Sequence, residues 1–384
     1  MNKIENLIKQ HCPDGVEFKK LGEVCEFRRG TTITAKDAVD GDVPVIAGGQ
    51  SPAYYHNTAN RTGETISVSS SGAYAGYVSY WTIPVFLSDS FSVNPNTELL
   101  LTKYVYYFLK NIQQQIHNSK KGSGVPHVHG SNLAKITIPL PPIAVQQEIV
   151  SILDKFTELE AELEAELEAR KKQYNYYREQ FFTISDKRLM VTLGEIGTFT
   201  RGKRFVKNDI VLKGIPCIHY GEMYTYYNIW ADKTKSYIEP HLAKKLRLAH
   251  TTDVIIVAAG ETIEDIGNAV AWLGKEDVVF HDACFAFSHK ENPKYISYFM
   301  RTDFFRSQIK RNITSSKVSA INAIGLSKAK IPLPSLEEQN RIVAILDKFD
   351  ALVNDILIGL PAEIKMRRQQ YEYYREKLLT FAEI

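Results

Sequence analysis

The stretch IPLPPIAVQQEIVSILDKFTELEAELEAELEARKKQYNYYREQFF, residues 138–182, returns as IPLPSLEEQNRIVAILDKFDALVNDILIGLPAEIKMRRQQYEYYREKLLTF at residues 331–381. Each copy opens with Pro-Leu-Pro, which is not helical, and continues as a long apolar-periodic run that ends in tyrosines and basic residues. Ile149 matches Ile342 at an offset of 193, whereas Tyr174 matches Tyr371 at an offset of 197. The second copy therefore has extra residues that amount to about one helical turn.

The apolar positions of both copies follow the 3-4 alternation of a coiled-coil seam, with a stutter in the first copy. About forty residues at about 1.5 Å each make a helix of roughly 60 Å, longer than the core of a small domain needs. Two copies of one seam are expected to pack on each other. The seam residues are Ile149, Ile152, Phe156, Leu159, Leu163, Leu167, Tyr174, Tyr177 and Phe181 in the first copy, and Ile342, Ile345, Phe349, Leu352, Ile356, Leu360, Ile364, Tyr371, Tyr374 and Leu378 in the second.

Two local features modify this helical pattern. Gly359 and Pro361 interrupt the second copy, and because proline removes a helical hydrogen bond, we expect a kink or a short break there. The first copy instead carries the acidic run EAELEAELEAR at residues 160–170. Its glutamates repel one another at i,i+4 spacing, so we expect them on a solvated or partner-facing side of the helix.

The bulk composition describes a globular chain with two or three domains. It has 384 residues, 44% hydrophobic and 24% charged, with a net charge of +3 that is too small to indicate nucleic acid by itself. No apolar run approaches the roughly twenty residues of a membrane span, and residues 1–15 resemble a polar helix more than a signal peptide, so the cytoplasm is the expected location. The cysteines fit neither a disulfide framework nor a zinc finger; they are Cys12, Cys25, Cys217 and Cys284.

The remaining sequence is also duplicated. VEFKKLGEVCEFRRGTTIT at residues 16–34 returns as RLMVTLGEIGTFTRGKRFV at residues 188–206, which aligns Arg29-Gly30 with Arg201-Gly202. The segments around Asp89 and Asp282 also correspond. Each half reads as short strands and turns followed by a long helix, so the predicted class is mixed α/β (α+β) with an internal pseudo-twofold repeat.

Both halves contain a basic segment that is almost free of acidic residues and rich in aromatic residues. The first lies between Glu98 and Glu148, and the second, with Asp303 as its one acid, lies before Glu337. One interpretation is an amphipathic helix with its aromatic residues in the core and its lysines in solvent. The repetition of the segment beside a Gly/Ser loop in each half favours nucleic-acid binding, because such side chains and loops contact phosphates.

Catalytic motifs are missing from the sequence. There is no phosphate-binding loop and no Asn-Pro-Pro-aromatic tetrapeptide of an amino-methyltransferase, so we expect neither nucleotide hydrolysis nor methyl transfer by this chain alone. His127 and His129 have no cysteine or carboxylate near in sequence, which favours phosphate contact or plain surface exposure over a metal site. Glu261, Glu264 and Asp265 suit base contacts or solvent as well as an acid pair.

The doubled element PLPP-x4-Q-x2-IV-x-ILDKF followed by Q-Y-x-YYRE, alternating with two variable domains, resembles the specificity subunit of a type I restriction–modification enzyme. The resemblance covers essentially the whole chain, including the segment GLPAEI. The first copy departs from the family by having the acidic run where a GLP-type insertion is frequent, which affects only the length and kink of that helix.

This resemblance implies two target-recognition domains, at residues 16–138 and 188–331, each of which reads one half of a bipartite DNA target. The helical regions, residues 139–187 and 332–384, would form two long antiparallel helices of a coiled coil that sets the spacing between half-sites and docks two modification subunits. Restriction subunits would assemble on that core. The chain would bind no cofactor or metal itself, because S-adenosylmethionine, and ATP with magnesium, would belong to the partner subunits.

Base readout needs side chains such as Arg, Gln, Ser and Thr at loop tips, and lysines suit phosphates. In the first domain the predicted DNA-binding residues are Arg28, Arg29, Thr31, Gln50, Ser70, Ser71 and Tyr74, with Lys120, Lys121 and Ser123 on the backbone. In the second domain they are Arg201, Lys203, Arg204, His219, Tyr220, Glu261 and Thr262, with Ser316 and Lys317.

Two other functions remain as alternatives at this stage. One is a stand-alone nuclease or methylase, which would act on DNA without partner subunits. The other is a coiled-coil interaction scaffold whose basic strips are ordinary surface, so that it has no sequence-specific DNA binding.

Overall fold

The computed structural model describes residues 2–120, 126–183, 190–314, 318–355 and 357–382. The chain divides into two compact units, residues 1–164 with 363–384 (unit 1) and residues 165–362 (unit 2). Each unit combines one mixed α/β domain with helical segments from both copies of the long repeat. No helix within the described ranges is both long and apolar enough to cross a membrane.

The helices fall into short ones inside the two domains and long ones in the repeated helical stretches. They are α1 (Asn2–His11), α2 (Leu21–Val24), α3 (Thr102–Asn111), α4 (Gln113–Asn118), α5 (Gly130–Leu133), α6 (Ile143–Thr183), α7 (Leu193–Ile196), α8 (Glu222–Thr225), α9 (Pro240–Ala243), α10 (Pro293–Phe299), α11 (Asp303–Ile309), α12 (Ala323–Ser327), α13 (Leu336–Asn354) and α14 (Leu360–Leu378).

The strands are short in both domains. They are β1 (Phe18–Lys20), β2 (Cys25–Arg29), β3 (Val43–Ile46), β4 (Tyr54–His56), β5 (Thr65–Ser69), β6 (Val78–Trp81), β7 (Phe86–Leu87), β8 (Ser90–Pro95), β9 (Thr137–Pro139), β10 (Met190–Thr192), β11 (Gly197–Arg201), β12 (Ile210–Val211), β13 (Ile215–Ile218), β14 (Trp230–Ala231), β15 (Ser236–Ile238), β16 (Leu248–Ala249), β17 (Val254–Val257), β18 (Ala259–Gly260), β19 (Ala269–Trp272), β20 (Val278–Phe280), β21 (Cys284–His289), β22 (Ser319–Ala320) and β23 (Lys330–Pro332).

Each domain is built on two main sheets. In unit 1 the strand orders are β2-β8-β5-β6, which is antiparallel throughout, and β4-β3-β7. In unit 2 they are β11-β21-β17-β19-β14 and β12-β15-β13-β20-β16, with β18-β22 as a separate pair. The centre of the first sheet of unit 2 is fully buried along β17, a run of Val and Ile that fits the interior of a sheet.

The duplicated sequence has duplicated contacts. The strands β1 and β9 pair Phe18 with Pro139, and β10 and β23 pair Met190 with Pro332. In the Leu-Gly-Glu repeat the leucines, Leu21 among them, are fully buried. Both glycines lie against the C-terminal end of another short helix, α5 in unit 1 and α12 in unit 2, where a Cβ would be 3.0 Å from the Cβ of Ala134 and of Ser327, respectively. The internal repeat predicted from the sequence is therefore confirmed.

In unit 1 the long helix α6 is fastened to its domain by motif residues. The Gln146 side chain accepts from the Leu101 amide at 2.9 Å and donates to the Pro141 carbonyl at 2.8 Å. Asp154 accepts hydrogen bonds from Tyr107 at 2.5 Å and from Lys103 at 2.8 Å. The Gln and Asp of the doubled motif thus serve the packing of domain on helix.

The same clamp is present in unit 2. Gln339 accepts from the Asn292 amide at 3.0 Å, and Asp347 accepts from Tyr298 and from Lys294, both at 2.8 Å. Lys294 also lies 4.3 Å from the centre of the Trp230 ring. For α3 and α10, therefore, the structure matches the first interpretation of the basic segments, with aromatic side chains in the core and Lys103 and Lys294 held by the long helices.

Within each unit the two long helical segments lie antiparallel. In unit 1 Phe156 stacks on Tyr374 with ring centres 5.5 Å apart, while Arg368, earlier in α14, pairs with Glu160, later in α6. In unit 2 Tyr177 stacks on Phe349 at 5.5 Å, and the Tyr174 hydroxyl lies 3.2 Å from Asp350. Rising numbers on one helix meet falling numbers on the other, so the pairing predicted from the seam is confirmed inside each unit.

The second copy of the helical stretch is broken where Gly359 and Pro361 predict a break. The helix α13 ends at Asn354 and α14 begins at Leu360, with Pro361 in its first turn. Asp355 caps the gap, because its carboxylate accepts from the amides of the two exposed residues Leu357 and Ile358 at 2.7 and 3.2 Å. The first copy is instead continuous through its acidic run, as α6. Ile356, assigned to the seam, lies outside the described residues.

Candidate nucleic-acid interface

Three strands of the unit 1 domain, β2, β5 and β8, have a terminus at the same end of its four-stranded sheet. Because β8 is antiparallel to both β2 and β5, the ends of β2 and β5 meet the beginning of β8 there. Arg29 lies opposite Phe91, and Ser69 lies opposite Ser90. Arg28 and Arg29 are the last residues of β2, and both are exposed. We call this end of the sheet, with the loops that leave it, the strand-end surface of unit 1.

Gly30 follows Arg29 because the chain passes directly over another loop. A Cβ at Gly30 would overlap the carbonyls of Leu87 and Ser88. The Gly30 amide donates to Ser90 at 2.8 Å, and the Thr31 amide donates to Leu87 at 2.9 Å. The glycine of the repeated Arg-Gly pair therefore has a steric role, and it leaves the exposed Thr31 on the strand-end surface.

Ser70 and Ser71 directly follow β5 at this end of the sheet. The Ser70 amide donates to the Asp89 carbonyl at 3.0 Å, and the Ser71 hydroxyl donates to the Asp89 carboxylate. His127 pairs with Ser71 as an isolated bridge, and its ring stacks on that of His129 with centres 6.0 Å apart. Sequence analysis did not select Asp89 as a site residue, although the repeat of its segment around Asp282 was a signal for it.

Neighbouring loops bring further predicted residues to this surface. The Ser69 hydroxyl donates to the carbonyls of Ala47 and Gly49, both at 3.2 Å, which places the loop with the exposed Gln50 beside β5. Tyr74 is 49% exposed. The Lys120 ammonium donates to the Ala73 carbonyl at 3.2 Å. Lys121 and Ser123 lie outside the described residues.

Unit 2 has a corresponding sheet end, where β11, β17 and β21 have their termini. Arg201 ends β11 opposite Phe285, and Val257 ends β17 opposite Cys284 at the start of β21. Gly202 repeats the steric role of Gly30, because a Cβ there would overlap the carbonyls that precede β21. In both units, therefore, an exposed arginine at the strand end is followed by a glycine that is packed against neighbouring carbonyls. We call this end of the sheet, with its loops, the strand-end surface of unit 2.

Two predicted residues of unit 2 use their side chains to bind the protein backbone. Arg201 Nε donates to the Asp282 carbonyl at 2.9 Å, and Lys203 Nζ donates to the Lys245 carbonyl at 3.0 Å. Arg204 is exposed, and its guanidinium has no hydrogen-bond or ion-pair partner within the described ranges. Arg201 and Lys203 therefore stabilise loops of this surface, while Arg204 has its donors open to a ligand.

His219 and Tyr220 belong to an aromatic cluster that follows the parallel strands β13 and β20. Their ring centres lie 4.8 and 4.9 Å from that of His281, and Phe205 stands edge-on to both histidines. Burial lowers the pKa of His219 and of His281, so both imidazoles are neutral at neutral pH. Because Nδ1 of His219 accepts from the Gly221 amide and Nδ1 of His281 accepts from the Ala283 amide, the Nε2–H of each ring is left to donate to a ligand. His281 was missed in the sequence, and only the repeat around Asp282 pointed to it.

Glu261 and Thr262 are exposed in the loop after β18. The Thr262 amide donates to Asp265 at 3.1 Å, so this turn is closed by its own carboxylate. The pairing of β18 with β22 brings the segment around Ala320 alongside. Ser316 and Lys317 precede it and lie outside the described residues. All base-contact assignments in both units stay predictions.

Two arginines of the basic segment in unit 2 are bound within the protein. Burial lowers the pKa of Arg301 to about 10, and its guanidinium donates to Asn268 at 2.9 Å and to the Ala269 carbonyl at 3.1 Å. Arg306 donates to Asn268 at 2.8 Å and to the Glu264 carbonyl at 2.7 Å. Both arginines therefore brace the loop that precedes β19. Among the described residues, no group of three or more His, Cys, Asp or Glu side chains is arranged to hold a metal ion.

Comparison with known proteins assigns the family. A family model described as the type I restriction modification DNA specificity domain matches residues 13–169 and again residues 186–366. The chain belongs to this family. The two matches repeat the duplication that the paired strand registers show, and the specificity-subunit resemblance is confirmed over the scaffold alternative.

Two relatives in this family match over nearly their full length. A type I restriction enzyme specificity subunit from Escherichia coli is 32% identical, covering 99% of this chain and 97% of that protein. A putative type I restriction enzyme specificity subunit from Haemophilus influenzae is 30% identical, covering 96% of each. The specificity-subunit family therefore accounts for the whole sequence and not for one domain of it.

Solved structures share the fold. The S subunit of a type I restriction-modification system from M. genitalium superposes with a TM-score of 0.58 at 17% identity, covering 96% of this chain and 97% of that one. A chain from a structural study of complex assembly in the type I R-M system gives a TM-score of 0.63 at 17% identity, covering 96% and 98%. The mixed α/β fold with long helices is therefore the fold of specificity subunits.

Proposed function

We propose that this chain binds a bipartite double-stranded DNA target, and that each strand-end surface reads one half of it. The observation that carries the proposal is the duplicated Arg-Gly strand end, with Arg28 and Arg29 exposed in unit 1 and Arg204 exposed in unit 2. Exposed arginines on such a surface are able to contact base edges or phosphates, and neighbouring amides and hydroxyls contact phosphates.

The long helices have two duties in this proposal. They set the spacing between the half-sites, and they dock two modification subunits, on which restriction subunits then assemble. Their domain-facing sides are occupied by the Gln146 and Asp154 contacts and by the corresponding Gln339 and Asp347 contacts. Their remaining surfaces include the exposed Glu158 and Glu162 of α6, which suit a basic partner.

The chemistry is assigned to the partners. S-adenosylmethionine, and ATP with magnesium, bind to the modification and restriction subunits, and this chain supplies recognition without catalysis. Its place of action is then the cytoplasm, with the DNA. This division of labour is supported by the missing sequence motifs for methyl transfer and nucleotide hydrolysis.

The experiment is a genome-wide map of methylated adenines in the source cell, with the gene intact and with it deleted. We expect the deletion to abolish one motif made of two short half-sites separated by an unspecified gap. Complementation with Arg29→Ala should then alter one half-site only, and the charge-matched Lys20→Ala, remote from the strand-end surface, should restore the native motif. Identical maps with and without the gene would refute the proposal.

A further inference from the structure

Arg61 occupies a position in unit 1 that no sequence motif marks. Its Nε donates to the Ser92 hydroxyl at 2.9 Å, and Nη1 donates to the Asn60 carbonyl at 2.8 Å. Its Nη2 donates to the carbonyls of Arg28 and Arg29, at 3.0 and 3.1 Å. The strand β2 is the edge strand of its sheet, and Arg61 donates to the carbonyls of its last two residues, of which the Arg28 carbonyl also accepts from the Ser92 hydroxyl at 3.4 Å.

The segment that carries Arg61 is itself fixed. The backbone of Arg61 exchanges two hydrogen bonds with Val85, both at 3.0 Å. The Asn60 side chain donates to the Leu87 carbonyl at 2.9 Å and accepts from the Leu87 amide at 2.7 Å. Burial, and then the charge of Arg28, lower the pKa of Arg61. The half-buried guanidinium of Arg61 therefore connects this fixed segment to β2 and β8.

Unit 2 reaches the same result from a different segment. Arg247 Nη1 donates to the carbonyl of Arg201 at 2.6 Å, and β11, which ends at Arg201, is also the edge strand of its sheet. Lys203 donates in return to the Lys245 carbonyl at 3.0 Å, so the two segments are linked twice. In both units, an arginine from a separate loop binds the carbonyl of the arginine that precedes the repeated glycine.

We propose that Arg61 and Arg247 are positioning residues for half-site discrimination. Each fixes the backbone of an edge strand just before the glycine, and so sets the direction in which the following loop and its side chains meet the bases. The inference rests on the proposed function, because it concerns the same strand-end surfaces. It adds that discrimination at each half-site depends on a guanidinium that never touches the DNA.

The two arginines call for different conservative variants. Arg61 uses three nitrogens on four acceptors, and the compact ammonium of lysine is unable to span them, so Arg61→Lys should behave like Arg61→Gln. Arg247 makes one hydrogen bond to Arg201, which a lysine is able to replace. Arg247→Lys should therefore retain function, and Arg247→Gln should lose it.

The test uses the full chain assembled with its modification subunits. Fluorescence anisotropy measures binding to duplexes that carry the methylation-mapped target, or single base changes in either half. We expect Arg61→Gln to lower discrimination about tenfold at one half-site, and Arg247→Gln to do so at the other. Each variant should leave the opposite half-site unchanged, and the dependence of affinity on salt should stay as in the wild type.

Three results would overturn the inference. The first is unchanged discrimination in both glutamine variants. The second is a uniform loss of affinity with a salt slope reduced by about one, which would make Arg61 a phosphate ligand. The third is an equal loss at both half-sites together with a lower unfolding temperature, which would make the residue only structural. A wild-type complex that discriminates at neither half-site refutes the proposed function itself, and the inference falls with it.

Discussion

Asp347 accepts a hydrogen bond from the hydroxyl of Tyr298 at 2.8 Å, and the equivalent Asp154 accepts one from Tyr107 at 2.5 Å. In each unit the same carboxylate also pairs with a lysine of the same domain helix; in unit 2 this is Lys294, at 2.8 Å. The aspartate of the doubled ILDKF motif is therefore a joint between a domain and its long helix. Under the proposed function, in which the domains recognise DNA and the helices dock partners, this contact has to hold the domain and the helix rigidly together.

Removing the carboxylate should loosen the joint in unit 2. In Asp347→Ala the buried Tyr298 hydroxyl and the Lys294 ammonium both lose their partner, at a cost of about 2 kcal/mol. Asp347→Asn keeps an acceptor for the hydroxyl and should cost about 1 kcal/mol. Hydrogen exchange of the α10 amides measures the change locally. The control is Asp232→Ala at an exposed loop position, and equal exchange in the two alanine variants would contradict the role.

Adding one methyl group at Gly30 should disturb the strand-end surface. The new Cβ would overlap the Leu87 and Ser88 carbonyls, so we expect a loss of about 1–3 kcal/mol of stability in the unit 1 domain. Gly49→Ala is the matched control, because a Cβ there meets its nearest atom, the Ser51 carbonyl oxygen, at 3.5 Å. Chemical denaturation followed by tryptophan fluorescence compares the two variants. If both tolerate alanine equally, the steric explanation of the Arg-Gly repeat is wrong.

The sequence predicted those features that a local pattern encodes. The seam, with Ile149 and Phe156, follows from a 3-4 alternation, and the break follows from Pro361. Leu153 was missed, although it is fully buried in the core of unit 1, because it lies outside the 3-4 alternation of the seam, and one helix with a wide apolar face shows only its stronger period. Arg61 was missed because a guanidinium that binds main-chain carbonyls needs no particular residue type opposite it.

The acid sensitivity of unit 2 should depend on His289. Burial lowers its pKa to about 4, from an ordinary value near 6.5, and its Nδ1 accepts from the Glu291 amide at 3.1 Å. Between pH 6.5 and pH 4, His289 therefore binds a proton in the unfolded chain but not in the folded chain. The free energy of unfolding falls as the pH drops through this window. We expect a loss of at most about 2 kcal/mol between pH 7 and pH 5.

Denaturation at pH 7 and at pH 5 measures this effect. His289→Asn should be less stable than the wild type at pH 7 but should lose less stability on acidification. His241→Asn, on the exposed surface of the same domain, should follow the wild-type pH dependence. A His289→Asn variant with the full wild-type acid sensitivity would show that other groups cause it.

Arg204 should contribute charge to DNA binding rather than sequence choice. Its guanidinium is exposed at the strand-end surface without a hydrogen-bond or ion-pair partner among the described residues, so it is free to neutralise a phosphate. In Arg204→Ala we expect weaker binding to all duplexes alike, with the slope of log affinity against log salt reduced by about 0.9. Lys275→Ala removes a charge that follows the C-terminal end of β19. It lies at the end of the sheet opposite the strand-end surface, so the slope should stay unchanged. The measurement is a salt titration of affinity for target and non-target duplexes. A loss confined to the target duplex would instead make Arg204 a reader of bases.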